Sequence, residues 1–539
     1  MSYQQPHFSI PPPPKGGKDR DHLVIIVGAG LVGLTLALDL GLRGIQVVVL
    51  DEDDTVVDGS RAIVFARRSL EILSRLGLGH RLIVKGVAWE NGTVYHKDIP
   101  LFRNSIGELN KSEYPAFLNL QQYYVEEWLV EACIATGHIE FRWKHKVIEI
   151  KQAGNYVDLD IATPKGNYTL RTNWLLACDG AKSFIRRSLN LPFIGQVFRD
   201  KFLIVDIRMK SSFPAERRFW FSPTFHSGQS VLMHKQPDNI WRIDFQLGWQ
   251  ANPEVERQEQ HVLARLKSMF GDTSDIEVIW SSIYTFQCRR LEEFVHNNII
   301  FVGDSAHQVS PFGGRGGNGG IQDADNLAWK LAAVLSGVSD TRLLETYNDE
   351  RRVAADENIL HSTRSAEFIT PKNQGTLAYR DAVLALARTS EFARSMVNSG
   401  RLSAPTVLHS SPLNYPAGLI ANKILPLGAP APDMPLQRNG VMDWLLRYIG
   451  GNHFTLMTYS LDLNKQGKIS LIAYPTTPSL FIELTDSENL LNSRYGISPG
   501  EAMLFRPDQH LCAHLVNPTP AELECAYTTA LGQCFREGI

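Results

Sequence analysis

Residues 23–27, LVIIV, make a short unbroken apolar run rich in β-branched side chains. That is the pattern of a strand buried on both faces of a parallel sheet. GAGLVG follows, and Leu34, Ala37 and Leu38 then recur on one face of a helix that Gly44 ends. A second apolar run, QVVVL at 46–50, stops at Asp51. Strand, helix and strand predict a β-α-β unit. Residues 61–76 and 119–135 carry helical spacing, the former through Leu70, Leu73 and Leu76, and WLLAC at 174–178 reads as a strand ending in Asp179-Gly180. Between 196 and 290 the pattern changes: RFWFS, SVLMH and WRIDFQL alternate as antiparallel strands do. The buried parallel pattern returns in IIFV at 299–302, which runs into Gly303-Asp304, a glycine-rich loop and a helix from about Ile321 to Leu335.

The fold class expected is therefore α/β: a Rossmann-type domain interrupted by an antiparallel-sheet domain, because neither strand-bearing piece buries its strands alone. The boundaries read as 21–90, 115–195 and 295–370 for the nucleotide domain, and 91–114 with 196–294 for the sheet domain. Residues 371–400 read as a helical linker, and 401–539 as a further unit opened by the proline-rich LPLGAPAPDMPLQ. Residues 1–20, with Pro11 to Pro14 and Gly16-Gly17, read as a loose extended tail.

Composition narrows the function classes. The 539 residues are 44% hydrophobic and 21% charged with a net charge of −3, so no basic surface for nucleic acid or membrane is indicated. The apolar stretch from Leu31 to Leu42 is interrupted by Asp39, and the N-terminus lacks a secretory pattern. None of the six cysteines forms C-x-x-C, so neither a zinc ribbon nor a dithiol motif is expected, and a cytoplasmic setting is the default. Small-molecule chemistry fits this balance.

Gly28, Gly30 and Gly33 place G-x-G-x-x-G between strand and helix. Gly28 permits a tight turn, Gly30 lets the backbone approach a pyrophosphate, and Gly33 lets helix and strand pack. The helix N-terminus, with Leu31 and Val32, offers N–H donors to phosphate. Asp51, with Glu52 beside it, is placed to accept ribose hydroxyls. This motif alone does not separate NAD from FAD. The stretch VGDSAHQVSPFGGRGGNGG, 302–320, is more specific. Asp304 would accept ribityl hydroxyls, and the glycine run would set backbone N–H groups against a flat ring. The following helix would stabilise negative charge on a reduced flavin. His307 is read as structural.

These residues resemble the single-component FAD-dependent aromatic hydroxylases of the para-hydroxybenzoate hydroxylase and phenol hydroxylase type. The resemblance covers roughly 22–370 and rests on GAGLVG with Asp51, on CDGAKSFIRRSL at 178–189 and on GDSAHQVSP with the glycine loop. It implies FAD contacts at Asp179 and Gly180, with Ser183 and Arg186 in the same motif, and at Arg61, Gln122, Gly303, Pro311, Gly314, Gly316, Gly317 and Asn318. It implies hydroxylation of a phenolic or hydroxyaromatic acid through a C4a-hydroperoxyflavin, with bound FAD, with NADH or NADPH as reductant and with O2. The acidic run Asp51 to Asp54 leans the reductant toward NADH, because carboxylates repel the extra phosphate of NADPH. Where the family loop reads G-Q-G-M-N, this chain has Gly314-Arg315-Gly316-Gly317-Asn318, and Arg315 is expected as a cation beside the flavin. Residues 401–539 resemble the thioredoxin-like domain of phenol hydroxylase relatives, without C-x-x-C.

The group that activates the phenol is left among several. His234 matches a substrate contact of relatives; His226, Tyr284 and Asp58 are alternatives, each with an ordinary sheet or loop reading. Arg242 is either near the flavin or in an ion pair, and Phe219, Trp220 and Phe221 either line a pocket or fill core. The partner expected is a small aromatic substrate, and a homodimer is left open. Two other readings stand beside the hydroxylase. One is an FAD-dependent oxidase, dehydrogenase, epoxidase or halogenase, though W-x-W-x-I-P is absent. The other is a non-catalytic protein that keeps the fold for binding.

Overall fold

A computed structural model describes residues 3–59, 61–105, 112–397, 402–415, 424–459, 468–475, 481–486 and 490–534. Its first sheet runs, edge to edge, Val295–His296, Ile299–Phe301, Gly166–Ala177, Lys18–Val27, Val47–Asp51 and Ile139–Trp143. The inner pairs are parallel. Val24, Ile25 and Ile26 are completely buried, as a run covered on both faces must be. The helices Leu31–Leu42, Gln122–Thr136 and Gly316–Leu335 pack beside it.

The second sheet has eight strands in the order His307–Gln308, Glu277–Leu291, Phe193–Arg208, Ile240–Gly248, Ser230–Lys235, Arg217–Phe221, Asn91–His96 and Ile99–Ser105. Its alternation separates two faces. Leu203, Val205, Ile207, Val231, Met233, Ile243 and Phe245 pack with Val262 and Leu266 of the helix Glu259–Phe270 on the outer face. The intervening residues face the nucleotide domain. A small three-stranded sheet, Val64–Ala66, Phe117–Asn119 and Val87–Trp89, lies between the two domains.

Several elements differ from the sequence expectation. The helix expected over 61–76 is the strand Val64–Ala66 followed by the helix Arg67–Arg75, because Val64 to Ala66 pair with Phe117 to Asn119. The helix expected from about Ile321 begins at Gly316, and helical spacing is invisible through glycines. Residues 3–17, expected as a loose tail, lie against the body: Phe8 stacks on Trp143 at 4.5 Å and its N–H donates to the Asp54 carbonyl at 2.8 Å. Of the expected sheet-domain segment 91–114, residues 106–111 lie outside the described residues, as do 398–401 at the end of the expected helical segment.

The C-terminal unit, expected as thioredoxin-like, holds a seven-stranded sheet and the helices Leu490–Tyr495 and Pro520–Ala530. Every pairing among its described strands is antiparallel. Trp329 of the helix Gly316–Leu335 meets Phe454 edge-on at 5.7 Å, which joins this unit to the nucleotide domain. Among the described residues, no helix is long and apolar enough to cross a membrane.

Candidate active site

The first strand ends in a turn that only glycine can make. Gly28 has φ +108°, and a Cβ there would lie 2.4 Å from the Cys178 carbonyl oxygen; a Cβ on Gly33 would lie 2.0 Å from the Gly28 oxygen. Gly30, by contrast, faces open space, with only Glu126 Oε1 at 3.8 Å. Asp51 closes the turn from below: it accepts the Ala29 N–H at 2.6 Å and the Asp53 N–H at 2.8 Å. Burial pushes its carboxyl up to about 6 against those two hydrogen bonds. Glu52 points outward to Lys146 at 2.8 Å, and Lys144 reaches Asp54 at 3.1 Å and Asp53 at 3.5 Å. The acidic run is therefore largely neutralised. The Val32 side chain fills the space over Gly303 and Gly320, where added Cβ atoms would stand 3.1 and 2.4 Å away. Its part is to lock two helices together.

The second strand end is stitched to the 178–189 motif. Ser183 caps the short helix Phe184–Ser188, and Asp179 accepts the Ile185 N–H at 3.0 Å. Arg186 donates to the Ser305 carbonyl at 2.8 Å and the Ala181 carbonyl at 2.9 Å, and stacks on Phe193. Gly180 (φ +71°) turns the chain between them. Asp304, in the turn Gly303–Ser305, opens into the cleft. The surrounding protein raises its carboxyl pKa, while His307, Arg61 and Arg186 oppose that rise. His307 itself faces away: its Nε2 pairs with Asp323 at 2.6 Å, and Arg351 holds the other Asp323 oxygen at 2.6 Å. This agrees with its structural reading.

The glycine loop turns at Pro311, whose carbonyl accepts the Gly314 N–H at 3.0 Å. Gly314 has φ +61° and rests on Val64. A Cβ on Gly316 would lie 3.9 Å from Asp304 Oδ1, so loop and carboxylate border the same space. Gly317 abuts Ala62 and Leu31. The Asn318 side chain is used internally: it accepts the Ala66 N–H at 2.9 Å and donates to the Val64 carbonyl at 2.8 Å, as a strand neighbour would. Gln122 accepts the Ala62 N–H at 2.8 Å, which fixes the loop that carries Arg61.

Arg315 corrects an expectation. Its guanidinium turns to Asn358 Oδ1 at 3.0 Å and the Leu402 carbonyl at 3.1 Å, and the residue is buried. It tethers the loop to the long helix Arg342–Ile369 rather than standing as a free cation in the cleft.

Across the cleft lies the inner face of the second sheet. Tyr284 is within electrostatic reach of Asp304 and Arg61, and burial raises its phenol pKa. Arg242 is held by Asp206 through two hydrogen bonds of 2.8 and 2.7 Å, so it is an ion pair. His234 is buried on this face with its ring edge-on to Trp89; burial first, then Arg217 and Arg242, lower its pKa well below the ordinary range. It is a neutral imidazole at physiological pH. His226 lies on the opposite face, against Phe245, with Nε2 on the Gln246 carbonyl at 2.6 Å, which removes it from the cleft. Asp58 is exposed in a loop whose Gly59 lies on the Trp280 ring. Phe219 and Phe221 belong to the inner apolar cluster with Phe202, Phe286, Phe312 and Phe368, while Trp220 belongs to the outer one.

Sequence reasoning missed Glu126. Its Oε1 accepts the Leu31 N–H at 2.9 Å and its Oε2 the Val57 N–H at 2.9 Å, while Gln122 donates to Oε1 at 2.8 Å. Burial pushes it up to about 7. Its only sequence signal is a charge on the buried side of an otherwise apolar helix. Asp323 and Arg351 were missed for the same reason.

The chain belongs to the FAD binding domain family, whose pattern matches residues 21–362. A 3-(3-hydroxy-phenyl)propionate/3-hydroxycinnamic acid hydroxylase of Klebsiella pneumoniae is 31% identical over 369 residues, 67% of this chain and 64% of that protein. The chain thus spans just under two thirds of the length of the first curated relatives that it matches. A 12-dehydrotetracycline 5-monooxygenase/anhydrotetracycline 6-monooxygenase of Streptomyces rimosus is 27% identical over 509 residues, 91% of this chain and 94% of that protein. Among solved structures, the flavin-dependent monooxygenase PieE in complex with FAD and substrate superposes with a TM-score of 0.81 at 20% identity, over 96% of this chain and all of the other. That likeness speaks for the fold. Family membership bears out the resemblance read from the three motifs.

Proposed function

We propose that this chain is an FAD-dependent monooxygenase that hydroxylates a phenolic or hydroxyaromatic ring, with NADH or NADPH as reductant and O2 as oxidant. The observation that carries the reading is one cleft with two unlike walls. On one side are Asp304 and the glycine loop; on the other are Tyr284 and the aromatic inner face of the second sheet. The curated relatives, named as hydroxylases of aromatic acids and as tetracycline monooxygenases, support the same reaction class.

The residues fit FAD. Gly28 and Gly33 stand where any Cβ would collide, Gly30 opens to free space, and Asp304 presents its carboxylate beside Gly316. Gly30 and Val32 would meet the pyrophosphate, Asp51 the ribose, and Asp304 the ribityl hydroxyls, with Arg61, Gln122, Asp179 and Gly180 shaping the same cleft. Backbone N–H groups of Gly316 and Gly317 would face the ring, at the N-terminus of a long helix. Bound FAD supplies the hydride acceptance and oxygen activation that side chains cannot.

The chain's own part is to hold and dry the substrate. Phe202, Phe286 and Phe312 pack with ring centroids 5.0 to 5.3 Å apart, Phe312 edge-on to the other two, and give the inner face an apolar cluster suited to an aromatic ring. Tyr284, with its raised pKa, stays protonated and donates a hydrogen bond. Neutral His234 accepts one, the role required next to a phenolic O–H. The lean toward NADH is diminished by Lys144 and Lys146, so both nicotinamides are carried forward.

The test is direct. Purified protein should be yellow and release FAD on denaturation. A panel of phenols and hydroxyaromatic acids should stimulate NADH or NADPH oxidation, and heavy-isotope O2 should label the aromatic product. Hydrogen peroxide as the sole oxygen product across the panel would replace this reading by an oxidase. Protein that takes up no FAD would remove both.

A further inference from the structure

The loop that follows Asp51, where the ribose is expected, runs back along the helix Gln122–Thr136. That helix holds it at two points: Glu126 accepts the Val57 N–H and Gln122 the Ala62 N–H. Glu126 also accepts the Leu31 N–H, at the turn where a diphosphate is expected. One carboxylate therefore joins the loop to the first turn of the nucleotide helix. The described residues of the loop form bends and one isolated bridge, with neither a helix nor a strand of their own. A segment with so little internal hydrogen bonding opens at low cost unless something outside it holds it shut.

The N-terminal segment covers the outer side of this loop. Phe8 donates its N–H to the Asp54 carbonyl at 2.8 Å, and His7 forms a bridge with Thr55. The Gln5 side-chain amide donates to Thr55 Oγ1 at 3.2 Å and to the Val56 carbonyl. The peptide between Val56 and Val57 is thus held on both edges, its carbonyl by Gln5 and its N–H by Glu126. Two aromatic anchors fix the segment on either flank of the loop. Tyr3 stacks on Tyr123 at 4.0 Å and meets Tyr124 edge-on at 5.0 Å, both on the helix Gln122–Thr136. Phe8 stacks on Trp143, the strand-end residue paired with Asp51. Pro11 to Pro14 then stiffen the connection to the first strand, which lowers the entropy lost on docking.

Resting on the FAD reading above, we propose that residues 3–8 are a strap belonging to the cofactor site, which holds the loop 53–57 closed over the adenosine half of FAD and sets how fast the cofactor leaves. The ribose carboxylate, the diphosphate turn and the loop are one connected unit through Asp51 and Glu126. The nucleotide end can leave on this side only when the loop lifts. The contacts from Gln5, His7 and Phe8 break with that movement, so they add to the barrier for release.

The experiment compares FAD release from the full chain, from a chain lacking residues 2–9 and from Gln5→Ala, which keeps both aromatic anchors. Each holoprotein is diluted far below its dissociation constant and the recovery of free-FAD fluorescence is followed. Melting of each apoprotein is recorded beside it. The truncated chain should release FAD about 10-fold faster, through the loss of several hydrogen bonds and two ring contacts. Gln5→Ala should release it severalfold faster with the apoprotein melting temperature unchanged, and this variant decides the matter if the truncated chain does not fold. Release at the full-chain rate from both variants would overturn the strap and leave the flavin reading standing. Faster release only where the apoprotein also melts lower would overturn it too, because the segment would then be ordinary packing. A full chain that takes up no FAD would remove the flavin reading and the strap with it.

Discussion

Glu126 Oε1 accepts the backbone N–H of Leu31 at 2.9 Å, at the first turn of the helix that opens the nucleotide fold. A carboxylate thus sits where the family places a diphosphate, and burial has already pushed it up to about 7. A bound pyrophosphate would disfavour its ionised form further. The sign follows: FAD binds the protonated form better, so affinity falls as pH rises through about 7. The dissociation constant, measured by quenching of FAD fluorescence on titration with apoprotein, should rise by up to about tenfold per pH unit above that point. Glu126→Gln should flatten this dependence. An equal slope in wild type and variant would show that Glu126 does not titrate against the cofactor.

Much of this site could be read before any coordinates. Gly28 and Gly33 sit where a Cβ would strike backbone, and such positions leave a mark in sequence because one residue type alone fits. Asp51 and Asp304 were legible because each ends an apolar run. The side-chain partners of Asn318 and Arg315 were not legible in the same way. The loop motif fixes where their backbones lie, but Asn318 pairs with Val64 and Ala66, and Arg315 with Asn358 and Leu402, partners 43 to 254 residues away that no local pattern announces. His234 was placed on its strand correctly by alternation. His226, nearby in sequence, falls on the other face because it lies in the short turn Thr224–His226, where alternation has no meaning.

The glycine geometry predicts a sharp contrast between two substitutions. Gly33→Ala puts a Cβ 2.0 Å from the Gly28 oxygen, so strand and helix must part. Purified Gly33→Ala protein should carry less than a tenth of the wild-type flavin. Gly180→Ala meets nothing within 4 Å and pays only for its left-handed backbone (φ +71°), about 1–2 kcal/mol. It should keep most of its FAD and melt a few degrees lower. Similar flavin loss in both would mean that steric fit at Gly33 is not what the motif protects.

Asp323 should govern acid stability. His307 and Arg351 hold its carboxyl down at about 2 in spite of burial. The folded value lies below the unfolded one, so the stabilisation is fully present above about pH 4 and is lost as pH falls toward 2. Asp323→Asn removes the charge that Arg351 and the His307 ring face and should cost about 3–5 kcal/mol at neutral pH. Urea unfolding at pH 7, 5 and 3 checks both statements. The difference between wild type and Asp323→Asn should shrink at the lowest pH, and a constant difference would count against the assignment.

A buried arginine of the C-terminal unit, Arg506, shares its carboxylate partner Glu350 with the cofactor helix. Arg506 is fully buried and bonds Glu350 at 2.5 and 3.1 Å and Asp508 at 2.9 and 2.6 Å. Glu350 also takes Lys330 at 2.7 Å and Asn326 at 2.7 Å, both on the helix Gly316–Leu335 that begins at the glycine loop. Arg506 and Lys330 hold the Glu350 carboxyl well below the usual range. Arg506→Met leaves two buried carboxylates short of a cation and should lower stability by about 3–5 kcal/mol. Arg506→Lys keeps the charge but not the fork that spans both partners, and should fall between. If this clasp also steadies the helix over the flavin, FAD should leave Arg506→Met faster than wild type in proportion to the lost stability. Dilution of the holoprotein far below its dissociation constant for FAD, followed by the recovery of free-FAD fluorescence, measures that rate. A destabilised variant that releases FAD at the wild-type rate would confine the C-terminal unit to a stabilising role.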